Sequence, residues 1–217
     1  MKICKLDEIW IIFVKNKAMK KFVSLLLILI LISAHAQHSK LQTAKEFQDE
    51  LNSDYANKEK SPLTDDDFKT FTSLAFFPIN EKYTVKASFV RTKKEKVFKM
   101  KTSTSRLPEY KKYGELFFTI DGMEHQLNVY QNIALIKKPD YKNSLFLPFS
   151  DLTCGTESYI GGRYVDMEIS NETIWTIDFN KAYNPYCAYN HKYSCPIVPL
   201  ENDLKTIILA GVKKFHE

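Results

Sequence analysis

The sequence predicts a mainly β, α+β domain: an antiparallel sandwich or partly open barrel with one or two N-terminal helices. Three observations predict it. Apolar residues alternate with period two from Tyr83 onward. The pair Asp121-Gly122 separates two such runs, the strongest hairpin signal in the chain. Many short runs bounded by turn residues follow one another with no helices alternating between them, which argues against a parallel sheet.

The helices come first. Ala44, Phe47, Leu51 and Tyr55 recur at helical spacing among polar residues, so an amphipathic helix is expected from Ser39 to Tyr55. Ser61-Pro62 interrupts the chain. Thr64 then stands three residues before Asp67, with Asp65 and Asp66 between them, a variant capping box that also suits the helix dipole. A second short helix should run to about Leu74 and bury Phe68 and Phe71.

The strands follow Pro78. Tyr83, Val85, Ala87 and Phe89 alternate with Thr84, Lys86 and Ser88, and Val97 to Lys101 is the expected partner of this strand. Gly114 to Ile120 and Met123 to Gln131 flank Asp121-Gly122, residues that tolerate the positive φ angles of a type I′ turn. Further strands are expected at Ser144 to Phe149, Arg163 to Ile169, Thr173 to Phe179 and Leu204 to Leu209.

Residues 1 to 36 are set apart as a signal peptide. Lys20 and Lys21 precede an apolar run from Phe22 to Ile32, too short to span a bilayer core that needs about 20 apolar residues. Ala34-His35-Ala36 then gives a small-x-small cleavage pattern. Translation from Met19 would give a leader of ordinary length. A single exported domain, residues 37 to 217, periplasmic or secreted and soluble after cleavage, is expected.

Export changes the charge and the cysteine chemistry. The leader carries six of the 31 basic residues and two of the 26 acidic ones, leaving 25 against 24. Near-neutral charge disfavours a nucleic-acid or anionic-membrane partner, and the runs at Lys93-Lys94 and Lys111-Lys112 read as solvated turns. Cys4 leaves with the leader. In an oxidising compartment Cys187 and Cys195 are the natural disulfide pair, with Cys154 as the odd thiol. A metal site there lacks further ligands, and none is expected.

Residues 151 to 202 carry the functional information. Gly155, Gly161 and Gly162 are three of only six glycines, implying tight turns or close backbone approach. Eight aromatics fall between Tyr159 and Tyr193, including Trp175. In the strand from Arg163, the residues Tyr164, Asp166 and Glu168 share one face; Arg163, Val165 and Met167 share the other. An arginine on an apolar face needs a partner if buried, and Glu157, Asp178 and Glu201 are the candidates. Asp178 ends the next strand and starts the loop holding Asn180 and Asn184.

Three runs carry a resemblance: Phe149 to Asp166 (FSDLTCGTESYIGGRYVD), Asp178 to Tyr189 (DFNKAYNPYCAY), and Tyr193 to Pro196 with Glu201-Asn202 beyond. They resemble the bacterial family known as domain of unknown function 1684, over about Phe47 to Lys214. Cys154 and Ser158 depart from it, standing where the family has a non-cysteine residue and, more commonly, Thr. The resemblance narrows the site and implies no activity.

The favoured role is binding of a small polar ligand by residues 151 to 202, with Glu157, Arg163, Tyr164, Asp166, Asp178, Asn180, Tyr183, Asn184, Glu201 and Asn202 as candidates. Arg163 would fix an anionic or hydroxyl-rich ligand, and Tyr183, Tyr186 or Trp175 would stack on it. Against this stands a structural reading, in which Arg163, Asp166 and Asp178 form an ion-pair network and the asparagines cap turns. A hydrolase of cell-envelope or sugar-like material ranks second and a partner-docking module third. No cofactor is expected. A Cys-His nucleophile from Cys154 or Cys187 with His125 or His191 is disfavoured by export, calcium among Asp151, Glu157, Asp166 and Asp178 has no EF-hand spacing, and no residue is assigned to catalysis.

Overall fold

A computed structural model describes residues 42–216. The leader, Met19 and the cleavage point at Ala36 lie outside the described residues. Helix α1 spans Ala44–Ala56, and its start is fixed by a capping box: the Thr43 side chain accepts from the Glu46 amide at 3.2 Å, and the Glu46 carboxylate accepts from the Thr43 amide at 2.8 Å. Tyr55 at its end is buried among Leu63, Leu74, Tyr189 and Val212. Gln48 ties the helix to the domain by donating to the Asn180 carbonyl at 3.0 Å.

Helix α2, Asp65–Thr70, begins at the expected Thr64 cap but stops short of Leu74. Phe71 turns extended, and the Leu74 amide is claimed by the Asn52 side chain at 2.8 Å. So short a helix cannot sustain itself, and packing of Phe68 and Phe71 beside Tyr55 decides where it ends.

Seven strands follow: β1 Thr84–Arg91, β2 Phe98–Lys99, β3 Glu109–Ile120, β4 Met123–Asn132, β5 Ser144–Phe149, β6 Arg163–Glu168 and β7 Ile174–Asp178. They form an antiparallel half-barrel in the order β6-β5-β4-β3-β1-β7. The β3–β4 hairpin turns at Asp121 (φ 53°) and Gly122 (φ 76°) as its sequence demands. Strand β2 pairs with β3 rather than with β1, correcting the partner expected for it. Among the described residues no helix is long and apolar enough to cross a membrane.

One face of the sheet holds the main core, including Leu116, Leu127, Leu147, Val165 and Ile177. The segment Leu204 to Leu209 covers it without being a strand. Its alternation is as expected, with Leu204, Thr206 and Ile208 buried, yet much of its hydrogen bonding is to side chains and to the loop at Ser150 and Leu152. The Ile208 amide donates to Asp151 at 2.8 Å and the Ile208 carbonyl accepts from Arg163 at 3.0 Å. A side-chain frame has replaced a ladder.

The chain after β7 returns to the opposite sheet edge. Tyr183 and Tyr164 exchange both backbone hydrogen bonds, at 2.9 and 3.0 Å, so residues 179–183 bridge from β7 to β6.

Candidate functional site

The other face of β3 to β6 builds a cavity. Antiparallel register sets Asn132 beside Tyr110, Phe146 beside Asp166, and Pro148 beside Tyr164, all on the side away from the main core. Phe47 and Leu51 of α1 and the loop from Tyr183 to Pro196 complete the lining. The cavity is partly open, with a volume of about 450 Å³ and a mainly apolar lining. That is the size range of small-molecule sites.

Among the described residues, Asp166 is the one carboxylate in this lining, and no Lys, Arg or His accompanies it there. The Tyr183 hydroxyl donates to its Oδ2 at 2.9 Å. The concave protein surroundings push the Asp166 carboxyl above its ordinary value, and the Tyr183 hydrogen bond partly offsets this. Asp166 is nonetheless exposed to water, so the cavity is open at this point and the upward push is screened. Burial, then the adjacent carboxylate, pushes the Tyr183 hydroxyl well above its usual range. The Tyr164 hydroxyl is committed to the Pro196 carbonyl. Burial raises its pKa too.

The aromatic walls are continuous. Tyr164 meets Tyr183 at 90° with centroids 5.9 Å apart, and Phe146 meets Tyr164 at 74° and 4.7 Å. Phe47 lies 6.3 Å from Tyr183 on the other side.

Cys195 also lines the cavity. Cys187 is beside it, its amide donating to the Cys195 sulfur at 3.2 Å, and the Tyr159 hydroxyl is 3.9 Å from the Cys187 sulfur. Both thiols are free and buried. The hydrogen bond between the two thiols lowers Cys187 and raises Cys195. Cys154 is different, since burial raises its thiol and its neighbours are Asp151 and Ser158. No described hydrogen bond joins a cysteine to a histidine.

The remaining candidates lie elsewhere. Arg163 points into the core, wholly buried, and pairs with Asp151 at 2.8 Å rather than with Glu157, Asp178 or Glu201. Its guanidinium also donates to the carbonyls of Ala210 and Ile208. Asp178 accepts from the Asn180 amide at 3.1 Å, and Asn180 bonds the backbone of Asn80 in both directions at 3.0 Å. Asn184 is buried and donates to the Lys213 carbonyl at 2.9 Å. Asn202 is buried against β4, accepting from the Asn128 amide at 2.9 Å and donating to the Asn128 carbonyl at 2.8 Å. Glu157 and Glu201 are exposed, the Glu157 carbonyl accepting from the Lys214 amide at 3.0 Å.

Of the candidate residues, the structure therefore gathers Tyr164, Asp166 and Tyr183 in one cavity. It adds Phe47, Tyr110, Asn132, Ser144 and Phe146, which come from distant parts of the chain. The strand alternation of Ser144 and Phe146 opposite Leu145 and Leu147 was the one signal that could have found two of them. Among the described residues no cluster of three or more His, Cys, Asp or Glu is placed to hold a metal ion.

Residues 69–213 match the family model described as "Protein of unknown function (DUF1684)". Among solved structures, the chain is similar to an uncharacterised protein of Haloarcula marismortui determined by solution NMR. The identity is 32%, the alignment covers 76% of this chain and 89% of that one, and the TM-score is 0.62. No curated protein matches.

Proposed function

This chain belongs to the DUF1684 family, which carries no assigned activity, and from the site we propose that it is an exported binding protein for a small organic ligand. The observation that carries this reading is the cavity of about 450 Å³, walled by aromatic rings around the single carboxylate of Asp166. A few polar groups inside a largely apolar lining suit a ligand with one polar end and an apolar body.

The reading of export rests on Lys20-Lys21, the apolar run and Ala34-His35-Ala36. In a periplasmic or extracellular compartment we expect the mature protein to be soluble, and Cys187 and Cys195 to close into a disulfide beside the cavity. The near-neutral mature charge supports a small ligand over a nucleic acid.

Native mass spectrometry of protein purified from its own host tests the binding role. We expect a bound species of defined mass that is absent from Ser144→Trp and Leu51→Trp, two variants that fill the cavity from different elements. A bare polypeptide in every case would remove this reading.

A further inference from the structure

The ligand has a recognisable class: resting on the reading of the cavity as a binding site, we infer that it takes an organic ammonium, a cationic nitrogen on an apolar or aromatic body, with the charge seated against Asp166. Three features of the cavity converge on this chemistry.

The first is the isolation of the carboxylate. Asp166 receives one hydrogen bond, from Tyr183 to Oδ2, and takes part in none of the described ion pairs. Asp166 is exposed to water yet has no cation among the described lining residues, so its ionised carboxylate is open to a ligand ammonium, which gains a charge-assisted hydrogen bond that a neutral ligand does not. An N–H of a protonated amine finds Oδ1 without a protein partner.

The second is the arrangement of the rings. Phe146, Tyr164, Tyr183 and Phe47 form a continuous wall; Phe146–Tyr164 and Tyr164–Tyr183 meet steeply, at 74° and 90°, and Phe47–Tyr183 at 43°. Ring faces carry negative quadrupole density and attract cations, and four aromatic rings in one lining give an ammonium on an apolar body such surface beside Asp166. A sugar ring stacks instead on a flat platform and asks for many hydrogen bonds around its edge.

The third is the charge of the lining: beside the neutral donors of Tyr110, Asn132, Ser144 and Tyr186, the described lining residues offer no cation. The Tyr164 hydroxyl is committed to Pro196 and that of Tyr183 to Asp166. Ser194 is held between Thr102 at 3.0 Å and Arg106 at 3.1 Å. An anionic ligand would meet Asp166, and the cation next to the lining, Arg106, is already engaged with Ser194. Leu51, Leu135 and Pro185 supply apolar surface for the rest of the ligand.

The test is calorimetric titration of the protein purified from its own host with phenethylammonium and with 2-phenylethanol, its uncharged counterpart, near neutral pH. Phenethylammonium should bind about tenfold or more tightly than the alcohol, as charge-assisted and cation–π contacts predict. In Asp166→Asn, which keeps an acceptor for Tyr183, the ratio should fall towards one. Equal or tighter binding of the alcohol overturns the inference, as does a preference that survives Asp166→Asn.

The two failures are separable. Binding of 2-phenylethanol alone, abolished by Ser144→Trp or Leu51→Trp, defeats the ammonium class and leaves the cavity a binding site. Binding of neither probe overturns the ammonium inference, while the mass spectrum decides the cavity independently.

Discussion

Arg163 and Asp151 meet at 2.8 Å with both side chains completely excluded from water. Asp151 is further held by the amides of Thr153 and Ile208 and by the Thr153 hydroxyl, while the Arg163 fork reaches Ile208 and Ala210. The pair joins β6 to the segment that covers the core. Its geometry suits guanidinium alone, since one planar group serves acceptors on two chain segments.

Removing the cation should therefore unfold the protein far more readily. Arg163→Met leaves Asp151 buried and uncompensated, a loss of about 3–5 kcal/mol read from urea denaturation. Arg163→Lys should fall between the variant and the parent, because an ammonium cannot span the same acceptors. Ligand affinity of the folded fraction should be unchanged, since the Arg163 side chain is on the face opposite the cavity. Arg163→Met with parental stability would show that the pair does not hold this segment.

Two glycines should respond unequally to the same substitution. Gly122 sits in the hairpin turn at φ 76° with nothing within 4 Å of an added Cβ, so Gly122→Ala should cost about 1 kcal/mol through backbone conformation. Gly162 has φ 82° as well, but its Cβ would lie 2.6 Å from both the Phe149 carbonyl oxygen and Val198. Gly162→Ala should lose clearly more stability in thermal melts. Equal losses would mean that the β5–β6 loop gives way freely.

Much of this fold was written in local pattern. The Thr64 cap, the strands from Thr84, Glu109, Met123, Ser144, Arg163 and Ile174, and the Asp121-Gly122 turn act over a few residues and lie where the sequence puts them, whereas the Thr43 capping box that starts the first helix at Ala44 was not read. The extent of α2 and the state of Leu204 to Leu209 were not local. Packing against Tyr55, with Asn52 taking the Leu74 amide, ends the one, and Asp151 with Arg163 frames the other, all from far along the chain. The site divides in the same way. Face alternation in β6 separates Arg163 from Tyr164 and Asp166, but it does not say which face would carry the cavity. Phe47, Tyr110 and Phe146 reach it through helix docking and strand register, which no short window contains.

Cysteine alkylation will decide the state of the pair beside the cavity. Protein taken from its own host and alkylated under denaturing conditions without reductant should carry one adduct, on Cys154, and three after reduction. The Cys187 amide already approaches the Cys195 sulfur at 3.2 Å, which places the two residues side by side. Three adducts before reduction would remove the disulfide and leave a buried dithiol.

Asp166→Asn offers a separate reading of the same carboxylate through stability. Its folded-state pKa is raised, chiefly by the surrounding protein, so the proton is held more tightly folded than unfolded. Stability from this group is complete below the ordinary carboxylate value near 3.9 and is lost as pH rises through the raised value. At neutral pH without ligand the parent therefore carries a penalty that asparagine lacks. Asp166→Asn should melt at or slightly above the parent temperature there, by less than about 1 kcal/mol because Asp166 keeps contact with water. The difference should vanish near pH 3, where both side chains are neutral. A variant that is less stable at neutral pH, by the same margin at pH 3, would assign Asp166 a structural hydrogen-bonding role instead. The charge that weakens the empty domain is the one an ammonium ligand would neutralise, so adding phenethylammonium should raise the melting temperature of the parent more than that of Asp166→Asn.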